Sequence, residues 1–207
     1  GAGRAFTAGL DLKELGAGES IGEDSNSADP ARNPVLAIES CTKPVIGAIN
    51  GAAVTGGFEV ALACDILIAS EAARFADTHA RVGILPGWRL SQKLTRICGP
   101  SRAKEISLSG NFIDAHTAER WGIVNRVVPT DQLVETALQL ARDIASSPAQ
   151  ATQDYKKLIN DGFAMSYGDA IAHESKVTRP RNAAVSPADI EAARAAVIAR
   201  GRAQTKN

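Results

Sequence analysis

Two stretches of the sequence open helices on glycine: Phe6-Thr7-Ala8-Gly9-Leu10-Asp11, and Asn50-Gly51 through Thr55-Gly56-Gly57-Phe58-Glu59. The first N–H groups of a helix have no intrahelical acceptor, and the macrodipole adds partial positive charge there. Two such ends that converge would hold an oxyanion. Glycine suits these positions because the backbone must approach the ligand and can take φ > 0 without steric cost; the competing reading is that the glycines only permit tight turns. Glu59 follows Gly56 by three residues, so its side chain rises from the same first turn, in reach of a proton beside a bound carbonyl. Its neighbours, Gly-Gly-Phe-Glu-Val-Ala-Leu-Ala-Cys, are apolar, and a buried carboxylate needs a partner or a task. Desolvation would raise its pKa and the helix end would lower it, a balance the sequence leaves open. A plain N-terminal acid held by the helix dipole is the alternative.

These residues need elements to position them. Residues 1–15 read as a glycine-rich turn followed by a short helix from near Leu10, and 16–33, almost devoid of apolar residues, as a mobile lid or insertion. Residues 34–41 read as the end of a helix, 44–49 as a strand closed by Asn50-Gly51, 58–63 as a helix and 65–69 as a buried strand. This strand, glycine turn, helix and strand form the compact unit that in α/β folds places ligands at the strand-to-helix turn. Helices are expected over 91–98 and 100–108, a helix capped by Asp114 up to Gly122, and a strand over 123–128. Beyond 130 only helices are expected, over 131–146, 148–161, 169–178 and 187–200, with Ser147-Pro148 and Ser186-Pro187 as cap-plus-proline starts. The expected organisation is an α/β core over 1–145 and a helical segment over 146–207, with no internal repeat visible.

Composition narrows the function. The 207 residues carry 23 Lys plus Arg and 23 Asp plus Glu, net +0, so no global field attracts nucleic acid or anionic lipid. At 44% hydrophobic but only 4% aromatic, the core must be built from Ala, Leu, Ile and Val. Cys41, Cys64 and Cys98 are widely spaced with no CxxC or Cys/His cluster, which points to a reducing, cytoplasmic setting and no metal site. No apolar run is long enough to span a membrane and no signal peptide opens the chain, although residue 1 falls in what reads as a strand-end loop, leaving room for a targeting segment or first strands before it. The helix start that would carry a hydrolase nucleophile holds Gly56-Gly57, which sets aside a serine hydrolase.

Phe6-Thr7-Ala8-Gly9-Leu10-Asp11-Leu12-Lys13, Lys43-Pro44-Val45-Ile46-Gly47-Ala48-Ile49-Asn50-Gly51 and Gly56-Gly57-Phe58-Glu59-Val60-Ala61-Leu62-Ala63-Cys64-Asp65, in this order, resemble the crotonase superfamily, the enoyl-CoA hydratase/isomerase group. The likeness continues through Phe75–Pro86, Gly110–Pro129 and the helical tail. It implies an α/β fold, a crotonase-like spiral of ββα turns with a C-terminal helical segment that packs into homotrimers or hexamers, and an acyl-CoA thioester as substrate with no further cofactor. It implies that the spiral's N-terminal part, with some of the adenine-binding wall, is missing here. The backbone N–H groups of Leu10 and Gly56 would form the oxyanion hole, with Ala8, Asp11 and Gly57 nearby in the substrate site, and Glu59 would match one of two catalytic glutamates. Losing one oxyanion donor costs about 2.7–4 kcal/mol of barrier in other enzymes.

In Phe75-Ala76-Asp77-Thr78-His79-Ala80-Arg81-Val82-Gly83 the resemblance implies a second catalytic glutamate where His79 stands. An imidazole can give or take a proton near neutrality, and Asp77, two residues away, is placed to orient the ring. A structural histidine is the alternative, with Glu59 alone serving as an isomerase-like shuttle or the site only binding acyl-CoA. Trp88-Arg89, where the resemblance implies small residues, would reshape the acyl pocket. Arg200 and Arg202 lie where basic tail residues would meet the CoA phosphates, with Arg202 the substrate-binding candidate; a basic helix end is the competing reading. His116 is expected to be solvated or capping, and His173 exposed.

Overall fold

The protein is described by a computed structural model covering residues 1–9 and 27–204. The helix expected from Leu10 and most of the 16–33 loop lie outside the described residues. The chain divides into two compact units, Gly1–Gln153 and Asp154–Asn207.

The first unit contains β1 (Ala5–Thr7), α1 (Pro34–Glu39), β2 (Ile46–Ile49), β3 (Ala52–Val54), α2 (Gly56–Ala63), β4 (Ile66–Ser70) and β5 (Arg74–Ala76). A 3-10 turn at His79–Val82 follows, then α3 (Leu90–Cys98), α4 (Pro100–Ser109), β6 (Ile113–Asp114), α5 (Ala115–Arg120), β7 (Arg126–Val128) and α6 (Leu133–Ala145). Two sheets form: β1-β3-β5-β6, parallel except for the antiparallel β5/β6 pair, and the parallel β2-β4-β7. From β1 to β5 consecutive strands go to different sheets: β2 and β3 meet at the Asn50-Gly51 corner, and β4 and β5 at a corner where Ala73 donates to the Ser70 carbonyl. The helix after each strand pair carries the chain to the next turn, which is the ββα spiral that the sequence resemblance implies.

The three-residue strands β3 and β5 escape a reading by periodicity because they are too short to show alternation and half of their residues are alanines. The strand expected over 123–128 is confined to 126–128. Gly122, at φ +77, ends α5, and the N–H groups of Ile123 and Val124 turn back to the Ala118 carbonyl, so these two residues close a helix and fill the core instead of pairing.

The core is mostly aliphatic. Phe58 and Phe75 are its fully buried aromatic residues, tilted against each other at 5.3 Å between ring centroids, among Ile49, Leu67, Leu90, Leu94 and Ile106. Helix α2 is buried almost all round, so it shows no amphipathic stripe, and Glu59 is its one charged residue. Asn33 caps α1 by accepting from the N–H groups of Val35 and Leu36, and Asp114 caps α5 by accepting from Thr117, as its sequence position predicts.

The second unit is helical. It holds most of α7 (Ala149–Phe163), then α8 (Tyr167–Ala183) and α9 (Pro187–Gln204), the latter two opened by Ser166 and Ser186, which accept from the N–H groups of Asp169 and Asp189. Helix α8 continues through Pro180 to Ala183, past the end expected near 178. None of the residues of these three helices is buried. Among the described residues, no helix is long and apolar enough to cross a membrane.

Candidate active site

Strand β3 delivers the chain to Thr55, a β-branched residue at φ +55 and ψ −111, the backbone shape of the first central residue of a type II′ turn and one normally left to glycine. Three bonds hold it there. Its N–H donates to the Ala76 carbonyl (2.9 Å), its Oγ1 accepts from the Thr78 N–H (3.1 Å), and the two threonine hydroxyls lie 2.5 Å apart. The Thr55 carbonyl accepts from the N–H groups of Phe58 and Glu59, both at 3.0 Å. Among the described residues no acceptor engages the N–H of Gly56 or Gly57 at the start of α2.

The turn after β1 packs backbone to backbone against this helix start. Gly9 has φ +86, and a Cβ there would come 3.0 Å from the Gly56 nitrogen and 3.1 Å from the Val54 carbonyl. A Cβ on Gly57 would come 2.0 Å from the Thr7 carbonyl. Only glycine fits at either position, and the two glycine-led segments singled out in the sequence do meet. Ala8 is exposed beside this contact. Leu10 and Asp11 lie outside the described residues.

Glu59 is 3% exposed, and its Oε1 accepts from the backbone N–H groups of Trp88 (2.8 Å) and Leu90 (3.3 Å). Its Oε2 faces His79 Nε2 at 3.7 Å. The other ring nitrogen, Nδ1, lies 2.6 Å from Asp77 Oδ1, which also accepts the His79 backbone N–H at 3.1 Å. His79 and Asp77 are both buried, and Ser107 of α4 lies near the Asp77 carboxylate. The balance left open by the sequence now has a direction. Burial pushes the Glu59 carboxyl above its usual range, outweighing the Leu90 and Trp88 amides and the nearby His79, with Asp77 adding to the rise. Burial acts on Asp77 in the same sense, but the hydrogen bonds from His79 and Ser107 overcome it and hold that carboxyl low.

Such an arrangement divides its parts clearly. Both N–H donors occupy one oxygen of Glu59, so its proton chemistry belongs to Oε2, the oxygen turned to the imidazole. At 3.7 Å the two atoms are too far apart for a direct hydrogen bond, yet close enough for one small molecule to bond to both. The Gly56 N–H, without an acceptor among the described residues, opens the same helix that carries Glu59. Together these supply an anion-accepting amide and a buried proton donor–acceptor pair.

A family model described as enoyl-CoA hydratase/isomerase matches residues 1–186. The chain belongs to the enoyl-CoA hydratase/isomerase family. A relative named probable enoyl-CoA hydratase 1, peroxisomal, from Arabidopsis thaliana is 44% identical over 176 residues, covering 85% of this chain and 65% of the relative. A probable enoyl-CoA hydratase of Rhizobium meliloti is 34% identical over 207 residues, covering 100% of the chain and 78% of the relative. Among solved structures, an enoyl-CoA hydratase subunit from Geobacillus kaustophilus superposes with a TM-score of 0.82 at 34% identity, covering 93% of this chain and 74% of that one. An enoyl-CoA hydratase from Mycobacterium avium gives 0.66 at 44% identity, covering 88% and 75%. The chain thus spans about two thirds to three quarters of the length of these family members, and its ββα spiral is the fold they share.

Of the residues singled out in this family member's sequence, Gly56, Gly57, Glu59, His79 and Trp88 are brought together. Trp88 enters twice: its N–H anchors Glu59, and its half-buried indole covers Gly56 so closely that a Cβ there would come 3.2 Å from Cζ3. The neighbouring Arg89, at φ +76, forms an ion pair with Glu39 of α1, which Lys93 of α3 also joins at 2.6 Å, so the loop over the site is tied down from two elements. Arg200 and Arg202 lie in α9, in the second unit. His116 is exposed beside Glu119, as expected. His173 departs from the expected exposure: it is half-buried, with Nε2 3.3 Å from Asp161 Oδ2. Sequence reasoning missed the Thr55–Thr78 clasp, the Leu90 amide and Ser107. Only the clasp left a trace, a threonine directly before Gly56-Gly57; the others come from distant segments.

Proposed function

We propose that this chain performs hydratase-type chemistry on an enoyl-CoA thioester, with coenzyme A as part of the substrate and no further cofactor. The observation that carries the proposal is the pair Glu59 Oε2 and His79 Nε2 facing each other across 3.7 Å, with Glu59 on the helix that the Gly56 N–H opens. In this reading the Gly56 amide, with that of Leu10, receives the thioester carbonyl oxygen and stabilises the negative charge that develops there. The oxygen of a water held between Glu59 and His79 bonds to the β-carbon, the C=C electron pair moves toward the carbonyl as an enolate, and the α-carbon takes a proton. One member of the pair accepts the proton that water loses, the other gives the proton that the α-carbon gains, and a transfer across the gap restores both. His79 thus takes the role for which the sequence resemblance implies a second glutamate.

Trp88, over Gly56, forms the wall that limits the acyl chain, Ala8, Asp11 and Gly57 line the thioester end, and Arg202 meets the CoA phosphates in the assembled protein. That assembly is proposed to be a homotrimer or a hexamer, and its compartment the cytoplasm.

The test is hydration of crotonyl-CoA and of a longer enoyl-CoA by wild type, Glu59→Gln and His79→Ala. Turnover by wild type and a fall of about 10²–10⁴-fold in each variant are expected, the range of general acid–base contributions. Binding without turnover in wild type would instead make the protein an acyl-CoA carrier, and double-bond migration without water addition would make it an isomerase.

A further inference from the structure

The hydration reading leaves open which member of the Glu59/His79 pair is the base. Groups outside the pair bear on this. His79 is faced by Glu59 from α2 and by Asp77 from the segment joining β5 to the 3-10 turn, while Ser107 of α4 lies near Asp77. Arg81, on the same turn as His79, is committed elsewhere, its Nε donating to the Ser109 carbonyl at 2.7 Å.

We propose that Asp77 is a positioning residue that fixes the proton of neutral His79 on Nδ1, so that Nε2 presents a lone pair to the site and His79 is the base. An ionised carboxylate only accepts hydrogen bonds, so at 2.6 Å the Nδ1 opposite it must carry the hydrogen. The same oxygen takes the His79 backbone N–H, which ties the ring's orientation to that of its own main chain. The carboxylate then stabilises the imidazolium formed when Nε2 takes a proton, the part played by the carboxylate of hydrolase triads. Water gives its proton to His79 Nε2 and its oxygen to the β-carbon. Glu59, protonated on Oε2, gives that proton to the α-carbon. The imidazolium Nε2–H then returns a proton to the Glu59 carboxylate, so the site ends as it began and the substrate has gained one water.

The inference rests on the hydratase reading, but its main readout does not need turnover. Nitrogen-15 NMR of histidine-labelled protein, with the His79 signal assigned by comparison with His79→Ala, reports which ring nitrogen bears the proton when the ring is neutral. Wild type should show the Nδ1–H tautomer. In Asp77→Asn the amide can donate to Nδ1, so the ring should switch to Nε2–H, kcat for crotonyl-CoA should fall by about 10²-fold or more, and KM should stay within about threefold. Ser107→Ala should lower kcat by about 3–10-fold and shift its pH profile, and Ser107→Thr should restore both. An Nε2–H tautomer in wild type overturns the inference even if Asp77→Asn fails to fold, and so does a folded Asp77→Asn with unchanged tautomer or kcat. Wild type that shows the Nδ1–H tautomer but no hydration overturns the hydratase reading and leaves the tautomer assignment standing.

Discussion

Glu59 illustrates how one buried carboxyl is given two unlike oxygens. Oε1 is saturated by the Trp88 and Leu90 amides, and Oε2 is left for chemistry. Because burial raises its folded-state pKa above the ordinary 4.5, the folded protein binds this proton more tightly than the unfolded chain does. The sign follows: the group costs nothing below pH 4.5, where both states are protonated, and destabilises increasingly as pH rises through the folded-state value. Glu59→Gln should therefore gain melting temperature relative to wild type as pH rises from 4 to 8, while losing about 10²–10⁴-fold in hydration; a constant difference in melting temperature would contradict the burial argument. Asp77 has the opposite sign. Its folded-state pKa is held low, so its contribution is present above 3.8 and lost as pH falls through the folded-state value, and Asp77→Asn should cost stability at pH 7 but progressively less in acid. Trp88→Ala opens the wall over Gly56 and should raise kcat/KM for long enoyl thioesters over crotonyl-CoA by about tenfold, the scale of a change in pocket volume. Unchanged chain-length preference would remove Trp88 from the acyl pocket.

At the scale of elements, the site depends on a close backbone contact between the turn after β1 and the first turn of α2. Gly57→Ala drives a methyl group into the Thr7 carbonyl, with no flexible side chain to yield, and should cost about 3 kcal/mol in urea unfolding. Thr78→Val removes the hydroxyl that pairs with Thr55 and should cost about 1–2 kcal/mol together with a loss of hydration, because the strained Thr55 turn sets the direction of the Gly56 amide. This contact explains what the sequence displays and what it hides. Both glycine-led segments, Glu59 and the possible Asp77–His79 contact are legible, because glycine, acid and imidazole at short spacing carry their chemistry in their residue types. Helices with proline or serine starts, such as α4 and α9, are legible for the same reason. The ββα repeat is not, since strands such as Ala52–Val54 and Arg74–Ala76 are three residues long and their placement follows from burial of small side chains. Ser107 stays hidden too, because its link to Asp77 spans 30 positions and exists only after folding.

For the whole molecule, the second unit leaves much apolar surface uncovered. Tyr155, Ile159 and Phe163 stand four residues apart on α7 and are 67%, 58% and 62% exposed, so they form one stripe on one helix face. Burying each such side chain is worth about 1.5–3 kcal/mol, which fits the proposed trimer. Light scattering should give a trimer or hexamer for wild type and a smaller species with unchanged helical content for Ile159→Asp; a monomeric wild type would contradict the assembly. The central claim is that Glu59 and His79 add water to an enoyl thioester held by the Gly56 amide, and the measurement closest to it is the fate of solvent deuterium. With crotonyl-CoA in heavy water, wild type should yield 3-hydroxybutyryl-CoA carrying deuterium at the α-carbon, and Glu59→Gln should abolish both the label and the product. Label incorporated by Glu59→Gln at the wild-type rate, or no product from wild type, would contradict the account.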